Sequence, residues 1–160
     1  MYELKCVQTK DLTKKNIKDI CKLKNQYWTY TIKEQLEWFK VNVKPSFVHI
    51  CLFLKGKLIG YTLLASNFYK NKENSFKFYL IDTVVITESF RKKKLSNLLM
   101  SEINLFLKER KKLGLLICDP KMVKFYEKYS WKTFNIKKFN INIDLKNKKS
   151  MVFNYINNKN

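Results

Sequence analysis

Residues 78–112 constrain the fold more than any other stretch of the chain. Tyr79-Leu80-Ile81-Asp82-Thr83-Val84-Val85-Ile86, led in by Phe78, is rich in β-branched and aromatic residues and reads as a strand. A turn follows that ends in four consecutive cations, Arg91, Lys92, Lys93 and Lys94. Beyond it Leu95, Leu98, Leu99, Ile103, Phe106 and Leu107 recur at spacings of three and four, which lays one face of a helix on a core. The first N–H groups of a helix lack a partner within it, and its dipole is positive there, so a phosphate set against residues 92–96 would satisfy both. A strand that feeds a basic turn at a helix start outlines an anion site.

The segments on either side extend the pattern. Residues 2–9 alternate Tyr2, Leu4 and Cys6 against Glu3, Lys5 and Val7, as a first strand would. Thr13 is placed to cap a helix carrying Ile17, Ile20, Cys21, Tyr27 and Trp28 on one face. Thr31 with Glu34 forms a capping box for a second helix, with Ile32, Leu36 and Phe39, that ends before Pro45. Residues 47–54 and 58–65 read as a hairpin turned at Gly56, and the polar residues 67–75 as a loop. Residues 113–118 form a short apolar run suited to a strand buried on both faces. Asp119-Pro120 opens another helix, with Met122, Val123, Phe125 and Tyr126 inward. Residues 131–136 and 151–155 read as closing strands joined by a solvated connection at 144–149.

At 160 residues the chain fits one domain with a real core, and 46% apolar residues suit a globular protein. It has no apolar run of about 18 residues to span a bilayer, and its first residues lack a signal-peptide pattern, so a cytoplasmic location is expected. Cys6, Cys21, Cys51 and Cys118 lie far apart within apolar patterns and read as reduced core residues, with no metal site implied. His49, the one histidine, sits in an apolar run and reads as a core residue. The formal charge of +20 invites acidic partners, yet only two of the 33 basic residues are arginine, the side chain whose planar fork reads phosphates and bases. Such a lysine surface implies weak, non-specific nucleic-acid binding at most, and no membrane association.

Val84-x-Ile86 followed by Arg91-x-x-Lys94-x-Ser96 resembles the acetyl-CoA loop of the GNAT superfamily of N-acetyltransferases, whose pattern after a strand is R/Q-x-x-G-x-G/A. Phe125-Tyr126-Glu127-Lys128-Tyr129-Ser130-Trp131 is similar to that family's F-Y-E-K-x-G-F/W segment, in the family's order and at its separation. Lys94 stands where the family has its first glycine and Ser96 where it has glycine or alanine, so the loop is a glycine-free version.

The resemblance covers most of the chain and implies one α/β (α+β) domain over residues 1–160, with a splayed, mixed, mostly antiparallel sheet flanked by helices. It implies an acetyl-CoA-dependent N-acetyltransferase acting on a primary amine, without a metal, as a monomer or homodimer. The implied cofactor contacts are the backbone of Val84, Val85 and Ile86, the loop Arg91, Lys92, Lys93, Lys94, Leu95 and Ser96, and Asp119 and Tyr126. Tyr126 is implied as the general acid. Asp82, the one carboxylate of residues 78–86, is the candidate base. The segment between the first two helices borders the acceptor pocket in this family, which makes Tyr27, Trp28, Tyr30 and Trp38 candidates to touch substrate. Two other readings stay open: a GNAT-like scaffold with an eroded cofactor loop that binds nucleic acid or another acidic partner, and an acetyltransferase of RNA-borne or ribosomal amines.

Overall fold

The basic turn and the helix after it are where the sequence puts them in the computed structural model, which describes residues 1–70, 72, 75–139 and 145–155. The strands are β1 (Tyr2–Gln8), β2 (Val48–Leu54), β3 (Lys57–Lys70), β4 (Ser75–Ile86), β5 (Leu113–Cys118), β6 (Lys132–Thr133) and β7 (Lys149–Phe153). The helices are α1 (Lys14–Lys24), α2 (Ile32–Asn42), α3 (Ser96–Glu109) and α4 (Val123–Glu127). The strands form a seven-stranded sheet in the order β1-β2-β3-β4-β5-β7-β6. β1/β2, β2/β3, β5/β7 and β6/β7 pair antiparallel, while β4/β5 is parallel. This is the mixed, mostly antiparallel α/β architecture expected. No helix of the described residues is long and apolar enough to cross a membrane.

The chain forms two compact units, Met1–Ala65 with Asp82–Glu102, and Ser66–Ile81 with Ile103–Asn160. In the first, β2 and β3 join through Lys55 and Gly56, whose φ angles of 48° and 74° make the two-residue turn that matches strand twist. The first five residues of β2 are buried and, His49 apart, apolar, with Ile50 and Leu52 fully enclosed. β1 pairs with β2 at the edge of the sheet. An edge strand has one neighbour, and Cys6 is accordingly exposed, contrary to its expected place in the core, whereas Cys21, Cys51 and Cys118 are buried. Thr13 and Thr31 cap α1 and α2, each accepting from the backbone N–H three residues on; Glu34 completes the second box as anticipated and Asn16 the first. α1 ends at Lys24, so Tyr27 and Trp28 lie in the turn beyond it.

In the second unit Tyr69, Phe78, Leu115, Ile136 and Val152 form a buried cluster, with Phe76, Leu80 and Phe134 packed on it. Those aromatics accompany one departure from the sequence reading: β3 runs on to Lys70 and β4 starts at Ser75, where Tyr69, inside the stretch 67–75 expected as a loop, pairs its ring with that of Phe76 just beyond it, 5.0 Å apart. The expected strand over 131–136 shrinks to β6, two residues paired with Val152 and Met151, and a 3₁₀ turn, Ile136–Phe139, tucks Ile136 into the core. Of the connection at 144–149, Asp144 lies outside the described residues. The parallel ladder of β4 and β5 runs from Phe78↔Leu113 to Ile81↔Leu116, and β4 continues through Asp82 to Ile86. On α3 the buried residues include Leu99, Met100, Ile103, Phe106 and Leu107; Leu98, about 100° round the helix from Leu99, faces outward instead.

Candidate active site

The middle of β4 carries an interruption. Thr83 has φ 63°, in the left-handed region that a β-branched residue adopts only under strain. It breaks the two-residue alternation on which Leu80, Asp82 and Val84 would share a face. Thr83 Oγ1 donates to Asp82 Oδ1 at 3.3 Å. Beyond the interruption the Val85 and Ile86 side chains are buried, leaving the backbone of Val84, Val85 and Ile86 to lead into the basic loop.

That loop is held from α1's end. The Tyr27 hydroxyl donates to the Ile86 carbonyl oxygen and accepts from Arg91 Nε at 3.1 Å. The Arg91 guanidinium lies 4.5 Å from the centre of the Tyr27 ring, and its Nη1 is 3.6 Å from Glu88 Oε1. Chiefly through the Tyr27 bond, Arg91 is held even more firmly in its charged form. Gln26 Oε1 accepts from the Glu88 N–H at 3.2 Å. Leu95 is buried and anchors the loop, while Lys92, Lys93 and Lys94 are exposed and Ser96 begins α3.

Lys92 and Lys94 have φ of 66° and 55°. A left-handed backbone costs an L-residue roughly 1–2 kcal/mol, and such residues are what let successive N–H groups converge on an anion. Lys94 thus has a backbone conformation that favours glycine. The loop's cations, its left-handed backbone and the start of a 14-residue helix together suit a polyphosphate.

Next to this loop in the chain, Asp82 and Thr83 form part of a cleft of about 460 Å³, whose other lining residues are Lys24, Trp28, Tyr30, Glu34, Gln35 and Trp38. That size suits a small ligand. Trp28, Tyr30 and Trp38 are exposed aromatics. Lys24 is buried, with Nζ 4.2 Å from the Trp38 ring centre and 5.9 Å from that of Trp28. Burial pulls its pKa down, opposed by Asp82 and then Cys21. Glu34 Oε2 accepts from the Thr31 N–H at 2.7 Å and from Thr31 Oγ1 at 2.9 Å, and these bonds hold its carboxyl below the usual range. Sequence reasoning missed Lys24, Glu34 and Gln35 as cleft residues. The signal for Lys24 was its position on the apolar stripe of α1, three and four residues after Cys21 and Ile20.

The second motif lies in the other unit. Tyr126 sits on α4, its ring edge-on to Phe125 at 5.0 Å. Its phenol is pushed up to about 12, by burial first and by Cys118 second, so it remains a proton donor at neutral pH. Ser130 stands at the glycine position of F-Y-E-K-x-G and, like Lys94, has a left-handed backbone, with φ 65°. Asp119 caps the turn Pro120–Met122, accepting from the Lys121 N–H and from Lys148 Nζ, both at 3.4 Å; these bonds keep its carboxyl low. His49 is enclosed away from solvent, its Nε2 2.7 Å from Thr9 Oγ1 and its Nδ1 2.8 Å from the Tyr61 hydroxyl, a satisfied core residue. Among the described residues no group of three or more His, Cys, Asp or Glu could hold a metal.

The sequence model of the acetyltransferase (GNAT) family matches residues 17–131, which take in most of α1, the interrupted β4, the basic loop and α4. The chain belongs to the GNAT acetyltransferase family. It is an acyltransferase. Solved structures share its fold: an acyl-CoA N-acyltransferase from Pseudomonas aeruginosa at 17% identity and TM-score 0.70, covering 95% of this chain and 99% of that one, and Escherichia coli ElaA at 14% and 0.68, with the same coverage. An aminoglycoside 6'-N-acetyltransferase complexed with coenzyme A matches at 13% identity and TM-score 0.66, covering 93% of this chain and 96% of that one. No curated protein sequence gives a significant match. Within this GNAT chain, Lys94 and Ser130, at the positions where the motifs it resembles have glycine, both have a left-handed backbone.

Proposed function

We propose that residues 1–160 act as one catalytic domain that transfers an acetyl group from acetyl-CoA to a primary amine. The observation that carries this is the loop at residues 91–96, where Arg91, Lys92, Lys93 and Lys94 meet two left-handed residues at the start of α3. When bound, the thioester supplies an activated acetyl group. The chain's own part is to hold the diphosphate with the loop N–H groups and lysines, and to hold the pantetheine chain with the backbone of Val84, Val85 and Ile86. The Tyr27–Arg91 pair stiffens the loop. Asp82, in the cleft, is the proposed acceptor of the amine's proton, and Tyr126, kept protonated by burial, the proposed donor to the departing sulfur. Asp119 is the weakest of the proposed cofactor contacts, because its charge is engaged by Lys148 and its own helix turn. The amine enters by the aromatic cleft.

Calorimetry of acetyl-CoA with the wild type and with the Arg91→Ala/Lys93→Ala variant tests the reading. Binding that weakens in the variant, with a shallower salt dependence, supports it. Absence of binding at millimolar acetyl-CoA removes it and leaves the scaffold reading.

A further inference from the structure

The cleft already contains a primary amine. Of the lysines whose side chains are described, Lys24 is the buried one, the others being exposed or partly so. Its Nζ is held against Trp38 in a cleft that Asp82 and Thr83 also line. Val84, the first backbone position read as holding the thioester arm, follows Thr83 directly and lies within about 7 Å of Asp82 along the strand. A nitrogen nucleophile and the backbone read as delivering an acetyl carbonyl therefore belong to one short stretch of structure.

We propose that Lys24 is itself an acetyl acceptor, modified by the protein's own transfer from acetyl-CoA. This rests on the reading of the loop at 91–96 as the acetyl-CoA site. The Nζ lone pair attacks the acetyl carbonyl carbon, the N–C bond forms and the C–S bond breaks. Sulfur leaves with the bonding electrons and takes up the proton that Nζ releases, giving CoA thiol and N-acetyl-lysine with no change of oxidation state. An amine must be neutral to attack, and burial favours the neutral form of Lys24 over that of the exposed lysines. The titratable groups around it are Cys21 on α1, Tyr30 in the turn before α2, Glu34 on α2 and Asp82 on β4. Acetylation would remove the cation beside Asp82 and fill part of the cleft, so the product would exclude other amines.

The test is a peptide mass map of purified protein incubated with acetyl-CoA near neutral pH, beside heat-denatured protein as the control for chemical acetylation. One acetyl group on Lys24, gained at least tenfold faster than on Lys33 or Lys40 and only in folded protein, is the expected result. A second readout needs no cofactor: in a carbon-13 titration of the lysine side chains, one resonance should titrate below the main group and vanish in both Lys24→Arg and Lys24→Met. Acetyl-CoA binding by calorimetry without preferential Lys24 labelling overturns the inference and spares the proposed function. Titration of Lys24 with the main group also overturns it. Absence of acetyl-CoA binding overturns both.

Discussion

His49 gives the sharpest dependence on pH. Enclosed among Thr9, Tyr61 and Phe39, it has a pKa lowered to about 4 by burial. In the unfolded chain it titrates near its ordinary value of about 6.5, so between those values the unfolded state binds more protons and stability rises with pH. The contribution is complete above pH ~6.5 and is lost as pH falls through the folded value, amounting to about 3 kcal/mol. Melting temperature measured from pH 7 to pH 4 should fall steeply for the wild type, and less for His49→Phe, whose stability at pH 7 starts lower because the Tyr61 hydroxyl loses its partner and Thr9 Oγ1 keeps only the Phe47 carbonyl. At Tyr126 the expectation is kinetic. Tyr126→Phe should keep its acetyl-CoA affinity while thiol release in the presence of an amine falls by roughly 10² to 10⁴, the range of a lost general acid. Unchanged release would leave Tyr126 as a packing residue.

Single elements were legible to different degrees, for physical reasons. The caps at Thr13 and Thr31 were readable because a cap is a local bond between residues three apart. The ends of β3 and β4 were not, since Tyr69 and Phe76 meet there through a contact that composition does not show. The loop at 91–96 announced its charge but not its backbone, and the left-handed Thr83 in mid-strand left no trace in a run that reads as uniform β. Lys24 was hidden among 31 lysines, although its phase on α1 set it apart. Two strand glycines make a test of packing. A Cβ at Gly114 would stand 2.5 Å from Leu107 Cδ1 and 2.7 Å from Trp131 Cη2, and that indole is fixed by its bond to Asn104. At Gly60 the closest atom is Ile86 Cδ1, 2.6 Å away at the end of a flexible side chain. Gly114→Ala should therefore cost about 1–3 kcal/mol in urea denaturation, and Gly60→Ala less; equal losses would contradict this account of β5.

For the whole molecule, the family and the sheet were readable because two motifs stood in the right order on a helix and strand pattern that spans the chain. The acceptor was not, because the cleft proposed to admit it draws on α1, α2 and the turn between them as well as β4. The charge of +20 is spread over lysines rather than gathered on arginines. Nucleic-acid binding should accordingly be independent of sequence and fall steeply with salt, by release of counterions; a gel shift that retains one RNA tightly at physiological salt would favour an RNA-borne acceptor instead. Acetyl-CoA dependence is the claim on which the rest depends, and a thermal-shift titration tests it most directly. A ligand that binds only the folded state at a hundred times its Kd stabilises by about 2.7 kcal/mol, which should raise the melting temperature by roughly 5–10 °C and continue to rise with the logarithm of concentration. A melting temperature that stays constant up to millimolar acetyl-CoA would contradict the account.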